Sequence, residues 1–420
     1  MIETQEKKER LILVGVCLDA DQAGEAETEA CLDELEQLVD TAGAVTVGRL
    51  TQKREGTHPG TYIGTGKIEE LRLMAQTLNA DGIVCDDELK PAQLANLCDA
   101  LGGLKVMDRT LLILDIFAAR ASTSEGKIQV ELAQLKYRAT RLTGLGKSLS
   151  RLGGGIGTRG PGEKKLEIDR RRIHERIGNL KADLEGVQNR REQTRAKRKK
   201  SGTPVAAIVG YTNAGKSTLL STLTGADTLC EDKLFATLDP LTRNLVLPSG
   251  QEVLLTDTVG FINKLPHNLI EAFKSTLEEA VYADIILHVV DMADPHMDVH
   301  MQVVYDTLRE LGMKDKPIIT VFNKCDLVAQ TDQTIRPRDL QAVASLEASA
   351  ATGKGMEEIC TALEDVLRAG KIFVSLVMDY KDAGKIQVLR EKGQLTKEEY
   401  IPEGIAVEGW IPMEFYHELK

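Results

Sequence analysis

The chain has 420 residues, too many for one ordinary domain, and a formal net charge of −11. Its 42% hydrophobic residues suffice for buried cores, and the absence of an apolar run of about eighteen residues excludes a membrane span. The charged beginning MIETQEKKER excludes a secretory signal, and seven scattered cysteines without CxxC spacing favour a reducing cytosol over a zinc ribbon or disulfide framework.

Residues 1–125 alternate short apolar runs with helical patterns, which predicts a parallel α/β domain. The predicted strands are Leu11–Cys17, Ala44–Val47, Gly82–Cys85 and Leu104–Val106, and the predicted helices are Glu27–Leu38, Lys67–Leu78, Pro91–Leu101 and Thr110–Ala119. The string GTGK at Gly64–Lys67 lacks the preceding strand and the full spacing of a phosphate loop. It therefore predicts a turn and a helix start.

Residues 126–200 predict an antiparallel helical hairpin with a basic, glycine-rich tip. One apolar face runs along the first helix, and an a/d seam runs along the second. The face consists of Ile128, Leu132, Leu135 and Leu142, and the seam of Leu166, Ile173, Ile177, Leu180, Leu184 and Val187. Eight glycines lie between Gly144 and Gly162, where a disordered linker is the alternative.

The charge of this hairpin is opposite to that of the rest of the chain. From Leu132 to Lys200 there are 20 Lys/Arg and 7 Asp/Glu, a net charge of +13, which leaves −24 elsewhere. Arg190–Lys200 alone also suits a solvated helix face. The 31 residues from Leu132 to Gly162 contain no acid, which favours contact with a phosphate backbone. The candidate RNA contacts are Lys147, Arg151, Gly153, Gly154, Gly155 and Arg159.

Residues 203–368 carry the motifs of a nucleotide-binding domain. A short apolar strand, Pro204–Val209, precedes a full Gly-x4-Gly-Lys-Ser string, and Thr218–Leu223 reads as the helix that follows. Backbone N–H groups of such a loop wrap phosphates, Lys216 should reach the β- and γ-phosphates, and Ser217 should bind Mg²⁺. The loop residues are Gly210, Tyr211, Thr212, Asn213, Ala214, Gly215, Lys216, Ser217 and Thr218.

A second motif, Asn323-Lys324-Cys325-Asp326, follows the apolar strand Ile318–Phe322 and identifies the base. The carboxylate of Asp326 can accept hydrogen bonds from guanine N1–H and the exocyclic amine, a donor pair that adenine lacks. Ser349, Ala350 and Ala351, ahead of a Gly-Lys-Gly turn, should close over the guanine O6. We therefore expect GTP and GDP as ligands.

The third motif, Asp257-Thr258-Val259-Gly260, ends the predicted strand Val253–Thr256. Asp257 suits a water-mediated Mg²⁺ ligand, and the Gly260 N–H should bond the γ-phosphate. The intervening stretch Phe235, Ala236, Thr237, Leu238 and Asp239 should form the first switch, with Thr237 on Mg²⁺ and Thr242 as its competitor. Lys216, Thr237 and Gly260 are thus the candidate catalytic residues for GTP hydrolysis.

Two further features qualify this assignment. Phe261 stands where a water-orienting glutamine often lies, so hydrolysis should be slow without a partner or another side chain. His296 and His300, near Asp291 and Asp294, could begin a metal site, but a third His or Cys at ligand spacing is missing from the sequence. A solvated helix start is the preferred interpretation.

The last segment, residues 371–420, predicts a small α+β module. Its strands are expected at Ile372–Met378, Leu395–Tyr400 and Ile405–Trp410, with a helix around Asp382–Lys392. The complete prediction is an α/β protein: a parallel N-terminal domain, a helical hairpin, a mostly parallel nucleotide-binding domain with helices on both faces, and this module.

The strings GYTNAGKS, FATLD, DTVG and NKCD, together with THPGTYIGTGK, DRTLLILDIFAARA and RLGGGIGTRGPGE, resemble the HflX family of GTPases over nearly the whole chain. The resemblance implies a cytoplasmic, guanine-specific, Mg²⁺-dependent enzyme. It also implies binding to the large ribosomal subunit and its ribosomal RNA, with the N-terminal region near the peptidyl-transferase centre, and splitting of stalled or idle ribosomes under stress. We expect a monomer.

Two other functions stay open at this stage. One is a regulatory module whose GTP state gates attachment to RNA or ribosomes, with hydrolysis only for release. The other is an ATP-dependent RNA remodeller acting through the N-terminal domain, which the poor match of GTGK to a phosphate loop disfavours.

Overall fold

The computed structural model describes residues 8–18, 22–149, 161–201, 203–225, 234–235, 240–264, 279–313, 316–328 and 337–419. The chain forms two compact units. The first comprises Met1–Gly186, Asp232–Leu238 and Asn263–Lys274, and the second comprises Val187–Glu231, Asp239–Ile262 and Ser275–Lys420. No helix within the described ranges combines the length and apolar character that crossing a bilayer requires.

The first unit is built on a parallel four-stranded sheet of order β2-β1-β3-β4. Helices α1 to α3 connect the strands and α4 follows the last one, because parallel strands need crossover connections. The strands are β1 (Arg10–Cys17), β2 (Val45–Lys53), β3 (Gly82–Cys85) and β4 (Lys105–Asp108). The helices are α1 (Gln22–Thr41), α2 (Thr65–Thr77), α3 (Pro91–Ala100) and α4 (Arg109–Arg120).

These elements confirm the predicted parallel α/β domain, and one strand is longer than expected. The run Leu11–Cys17 is buried because β1 is a central strand. β2 continues to Lys53, well beyond the predicted end at Val47, as an edge strand with a largely half-exposed side-chain pattern. Its polar residues obscured the end of the strand because an edge strand needs fewer apolar side chains.

The two predicted hairpin helices are present as α5 (Ser124–Leu149) and α6 (Pro161–Ser201). Arg176 on α6 donates to both carboxylate oxygens of Glu131 on α5, at 2.8 and 2.9 Å. Along α6, Leu180 is buried and its seam neighbours Ile173, Ile177 and Leu184 are half-buried, in contrast to the exposed charged residues between them. The predicted tip lies outside the described residues.

The second unit contains a six-stranded sheet of order β10-β9-β8-β5-β7-β6, in which only β6 pairs antiparallel, with β7. The strands are β5 (Val205–Gly210), β6 (Leu241–Val246), β7 (Glu252–Asp257), β8 (Ile285–Asp291), β9 (Ile318–Asn323) and β10 (Ala344–Glu347). The accompanying helices are α7 (Lys216–Thr224), α8 (Met297–Glu310) and α9 (Met356–Arg368). The functional loops leave the carboxyl ends of β5, β7, β9 and β10, where ligands bind in open α/β sheets.

The C-terminal module is an antiparallel sheet of order β11-β13-β12, in agreement with the predicted α+β fold. Its strands are β11 (Lys371–Met378), β12 (Gln394–Ile401) and β13 (Gly404–Pro412), and its helix is α10 (Ile386–Lys392). Leu389 of α10 packs with Val374, Val407 and Ile411 in a small core.

Candidate guanine nucleotide site

The phosphate loop joins β5 to α7 and places the amino end of α7 where a phosphate would bind. Gly215 precedes the helix with φ at 90°, and a Cβ atom there would lie 2.3 Å from Nδ2 of Asn323. Only glycine avoids that clash and adopts this backbone conformation readily. The first N–H groups of α7 and its dipole then face the loop, a suitable arrangement for anions.

Lys216 is buried within this loop. Its Nζ donates a 2.7 Å hydrogen bond to the carbonyl oxygen of Tyr211. Burial lowers the pKa of Lys216 to about 8, against the opposing effect of the Asp257 charge. The ammonium group is thus held beside the loop by an internal acceptor, and its other N–H donors would serve nucleotide phosphate oxygens.

Ser217 and Asp257 form a pair of hard oxygen donors next to the loop. The Ser217 hydroxyl donates to Oδ2 of Asp257 at 2.7 Å, and Asp257 is fully buried at the end of β7. A hydroxyl and a carboxylate are ligands that Mg²⁺ prefers, directly or through water, so these residues fit the ion. Thr242, the competitor for the third ligand, lies in β6 with its hydroxyl 3.0 Å from that of Thr256.

The segment after β7 packs directly on the phosphate loop. A Cβ atom on Gly260 would lie 2.8 Å from Cγ2 of Thr212 and 2.9 Å from Nζ of Lys216, which explains why this position is glycine. Phe261 is buried, its N–H donates to the carbonyl of Gly210, and its carbonyl accepts from the Thr212 N–H at 2.8 Å. Phe261 therefore braces the loop through its backbone, while its side chain lacks a group to orient water.

Asn323 connects two parts of the nucleotide site. Its Nδ2 donates to the carbonyl of Ala214 at 2.8 Å, and its Oδ1 accepts from the Ala350 N–H at 2.9 Å. Ser349 is buried, and its hydroxyl oxygen accepts from the Thr352 N–H at 3.3 Å. The loop that would face guanine O6 is thus internally bonded, while the Asp326 side chain is exposed and accessible to a base.

Two residues that the sequence analysis did not assign to the nucleotide site support this arrangement. Asp291, at the end of β8, forms a 2.7 Å ion pair with Lys324, which has a positive φ of 62°. The Thr222 hydroxyl of α7 donates to the carbonyl of Ala350 at 2.8 Å. The position of Asp291 directly after the apolar run IILHVV was an available signal, whereas Thr222 gave none.

The other candidate residues lie in the first unit or outside the described part of the chain. Phe235 belongs to the first unit, where its ring packs edge-on against Phe117 with 4.6 Å between centroids. Lys147 lies on α5, but its side chain is not described. The remaining candidates lie outside the described residues: Ala236, Thr237, Leu238, Asp239, Arg151, Gly153, Gly154, Gly155 and Arg159.

The second unit brings the loop at Gly210–Thr218, the motif at Asp257–Gly260, the Asn323–Asp326 turn and Ser349–Ala351 to one edge of its sheet. This fold and site define a P-loop GTPase. GTPase HflX of Lacrimispora saccharolytica is 61% identical over 419 residues, covering 100% of this chain and 97% of that protein. The chain belongs to the HflX family of GTPases.

Other matches extend the same relationship. GTPase HflX of Caldanaerobacter subterraneus subsp. tengcongensis is 50% identical over 420 residues, which cover 100% of this chain and 95% of that protein. GTPase HflX of Escherichia coli is 41% identical over 367 residues, which cover 87% of this chain and 85% of that protein. Residues 29–118 match the family described as GTP-binding GTPase N-terminal and residues 120–198 the GTP-binding GTPase middle region. Residues 205–324 match the family described as 50S ribosome-binding GTPase. The chain therefore binds guanine nucleotides and hydrolyses GTP.

Proposed function

We propose that this GTPase binds the large ribosomal subunit through residues 126–200 and, in its GTP-bound state, dissociates stalled or idle ribosomes into subunits. The observation that carries the proposal is a nucleotide site joined in sequence to a segment of charge +13 in a chain whose remainder carries −24. The match of residues 205–324 to a family described as 50S ribosome-binding supports the same partner. We further propose that the protein acts in the cytoplasm as a monomer.

The described part of the hairpin agrees with an RNA contact. Arg170, Arg171, Arg172 and Lys181 are exposed on α6, where they can neutralise phosphate groups. Ribosomal RNA offers such phosphates at high density. The glycine-rich tip would add close backbone approach to structured RNA.

Hydrolysis is proposed to need Mg²⁺ at Ser217 and Asp257, with Thr237 as the further ligand, and to be slow in the isolated protein. Mg²⁺ would neutralise charge on the β- and γ-phosphates during transfer to water. Phe261 cannot hold the attacking water because its side chain has no donor or acceptor. Ribosomes should therefore stimulate hydrolysis, and equal single-turnover rates with and without ribosomes would contradict this.

A second candidate function is a GTP-gated binding module in which hydrolysis only permits release, and the buried Phe261 favours it. Sucrose-gradient measurement of free 50S and 30S particles separates the two. Splitting that proceeds equally well with a nonhydrolysable GTP analogue assigns hydrolysis to release. Splitting that needs GTP turnover assigns hydrolysis to the dissociation step itself.

Cosedimentation with ribosomes, in GDP and in a nonhydrolysable GTP analogue at two salt concentrations, tests the proposal as a whole. We expect stronger binding with the analogue and weaker binding at the higher salt concentration. If the protein were missing from the ribosomal pellet with both nucleotides, the ribosomal proposal would be refuted, but the assignment of GTP hydrolysis would stand.

A further inference from the structure

The phosphate loop contributes one ring to a stacked aromatic pair. Tyr211, the second residue of the loop, is buried, and its ring stacks on that of His300 with 3.8 Å between centroids and 10° between planes. His300 lies in the first turn of α8, at the helix start expected from the sequence, and is half-buried there. His296, one turn earlier, is exposed as expected.

The His300 ring is fixed on its other side by a carboxylate. Its Nδ1 lies 3.4 Å from Oδ2 of Asp294, while Oδ1 of Asp294 accepts a 2.8 Å hydrogen bond from the His296 N–H. The pKa of Asp294 is lowered, chiefly because His300 donates to it. Asp294 is itself anchored at the start of α8, so it fixes the plane that faces Tyr211.

Tyr211 also makes two backbone contacts within the nucleotide site. Its carbonyl accepts from Lys216 Nζ, and its backbone forms a parallel bridge with Phe261. An ammonium group has three N–H donors, so Lys216 can keep this hydrogen bond while it donates to phosphate oxygens, and the position of Tyr211 helps to set that of the ammonium group. A contact that holds the Tyr211 side chain throughout would preserve the shape of the loop.

The small cavity beside the stacked rings is lined by two buried polar atoms as well. Thr212 Oγ1 and His288 Nδ1 line the same small cavity as Tyr211 and His300, are buried, and have no hydrogen-bond partner in the described part of the chain. The stack itself joins Tyr211 of the phosphate loop to His300 of α8. An aromatic pair of this kind is oriented as well as attractive, which suits a positioning role.

We infer that His300 is a positioning residue that acts through the Tyr211 ring to hold the phosphate loop in its nucleotide-binding shape. This inference rests on GTP binding at the site described above and is independent of any ribosomal partner. His300 itself need not touch the nucleotide. Its contribution should therefore affect nucleotide retention and leave the chemistry of bound GTP unchanged.

The test compares three substitutions in the full-length chain, using a fluorescent GTP analogue and Mg²⁺ without ribosomes. His300→Ala should raise the Kd by about three- to tenfold and speed dissociation correspondingly, while hydrolysis at saturating GTP stays close to wild type. His300→Phe, which keeps a ring, should restore the Kd to within about twofold. His300→Gln, which keeps a donor for Asp294 but no ring, should behave like His300→Ala.

His296→Ala is the matched control, because it removes an exposed histidine from the same helix, and its Kd should equal that of wild type. Combining His300→Ala with Tyr211→Ala should add little to the effect of Tyr211→Ala alone. A wild-type Kd for His300→Ala, additive effects in the double variant, or restoration by glutamine but not phenylalanine would each overturn the inference. Failure of wild type itself to bind the analogue would instead contradict GTP binding.

Discussion

At the scale of single residues, the buried charge of Lys216 in the phosphate loop lowers the free energy of unfolding, and a bound nucleotide would offset that loss. Lys216 is buried, and its pKa falls from the ordinary 10.5 to about 8 because burial disfavours the charged form. The folded pKa lies below the unfolded one, so unfolding takes up a proton between these values. The buried charge therefore lowers the free energy of unfolding by its full amount below about pH 8, and by less as the pH rises to 10.5.

Lys216→Met should consequently stabilise the nucleotide-free protein while abolishing GTP binding. Relief of the buried charge, less the lost hydrogen bond to Tyr211, should add about 1–2 kcal/mol at pH 7 and less at pH 9.5. Thermal melts without nucleotide at both pH values measure this. The control Lys67→Met, in the GTGK string, should change neither stability nor activity appreciably. A lower Tm for Lys216→Met than for wild type at pH 7 would show that the ammonium group does not destabilise the folded protein.

Base choice depends on another single side chain, Asp326. Replacing the carboxylate by an amide in Asp326→Asn removes the acceptor pair for guanine and supplies a donor that suits the O2 of xanthine. We expect affinity for GTP to fall by about 100-fold or more and affinity for XTP to rise. Competition between the two nucleotides measures the shift, with Asp298→Asn, at an exposed position of α8, as a control for lost charge. Unchanged preference would contradict the base-recognition argument.

At the scale of elements, Asp108 joins the sheet of the first unit to the hairpin. It is fully buried at the end of β4, and its carboxylate accepts from the N–H groups of Leu89 and Leu111, the Tyr137 hydroxyl and the Arg141 guanidinium. Tyr137 and Arg141 lie on α5, so one carboxylate fixes the root of that helix. Charge-assisted bonds to a buried carboxylate are stronger than neutral ones.

Asp108→Asn should destabilise the first unit by about 2–4 kcal/mol, because the amide leaves Arg141 without its charge partner. Its NH2 group would also face the hydrogen-bond donors that now bind the carboxylate. Hydrogen exchange in β3, β4 and α5 measures the loss of protection. Asp99→Asn, at an exposed position near the end of α3, should leave exchange unchanged. GTP binding in the second unit should survive; wild-type protection in α5 would disprove the anchoring role.

Element prediction from the sequence succeeded where one physical signal was dominant. Buried central strands such as β1 show as continuous apolar runs, and the loop from β5 to α7 has a spacing that only phosphate binding explains. The full length of β2 was missed because an edge strand with polar side chains has no such run. The stacking of His300 was missed because its partner Tyr211 is distant in sequence and belongs to a loop.

At the scale of the whole molecule, the net charge of −11 conceals an uneven distribution. The four segments drawn from the sequence stay a prediction, beside two compact units in the structure. A body of charge −24 is repelled by RNA, whereas residues 132–200 at +13 are attracted to it. This distribution would bias an encounter with the ribosome towards the hairpin.

Reversing two charges at the tip tests that bias. The double variant Arg151→Glu, Arg159→Glu should weaken ribosome cosedimentation while GTP binding is unchanged. The slope of log affinity against log salt concentration should fall by about two, the value for two lost phosphate contacts. Arg72→Glu with Lys381→Glu makes the same change in net charge at exposed positions outside the hairpin and should have a smaller effect. Equal losses in the two double variants would assign binding to net charge rather than to the tip.

The sequence by itself determined the GTPase class, the guanine preference and the charged hairpin, because each depends on residue types at fixed local spacing. Tertiary structure alone decided how the loops of the nucleotide site are held: Asn323 bridges Ala214 and Ala350, Asp291 pairs with Lys324, and His300 stacks on Tyr211. These contacts join side chains from different strands and helices. Such neighbours are set by the packing of the sheet, which no local pattern records.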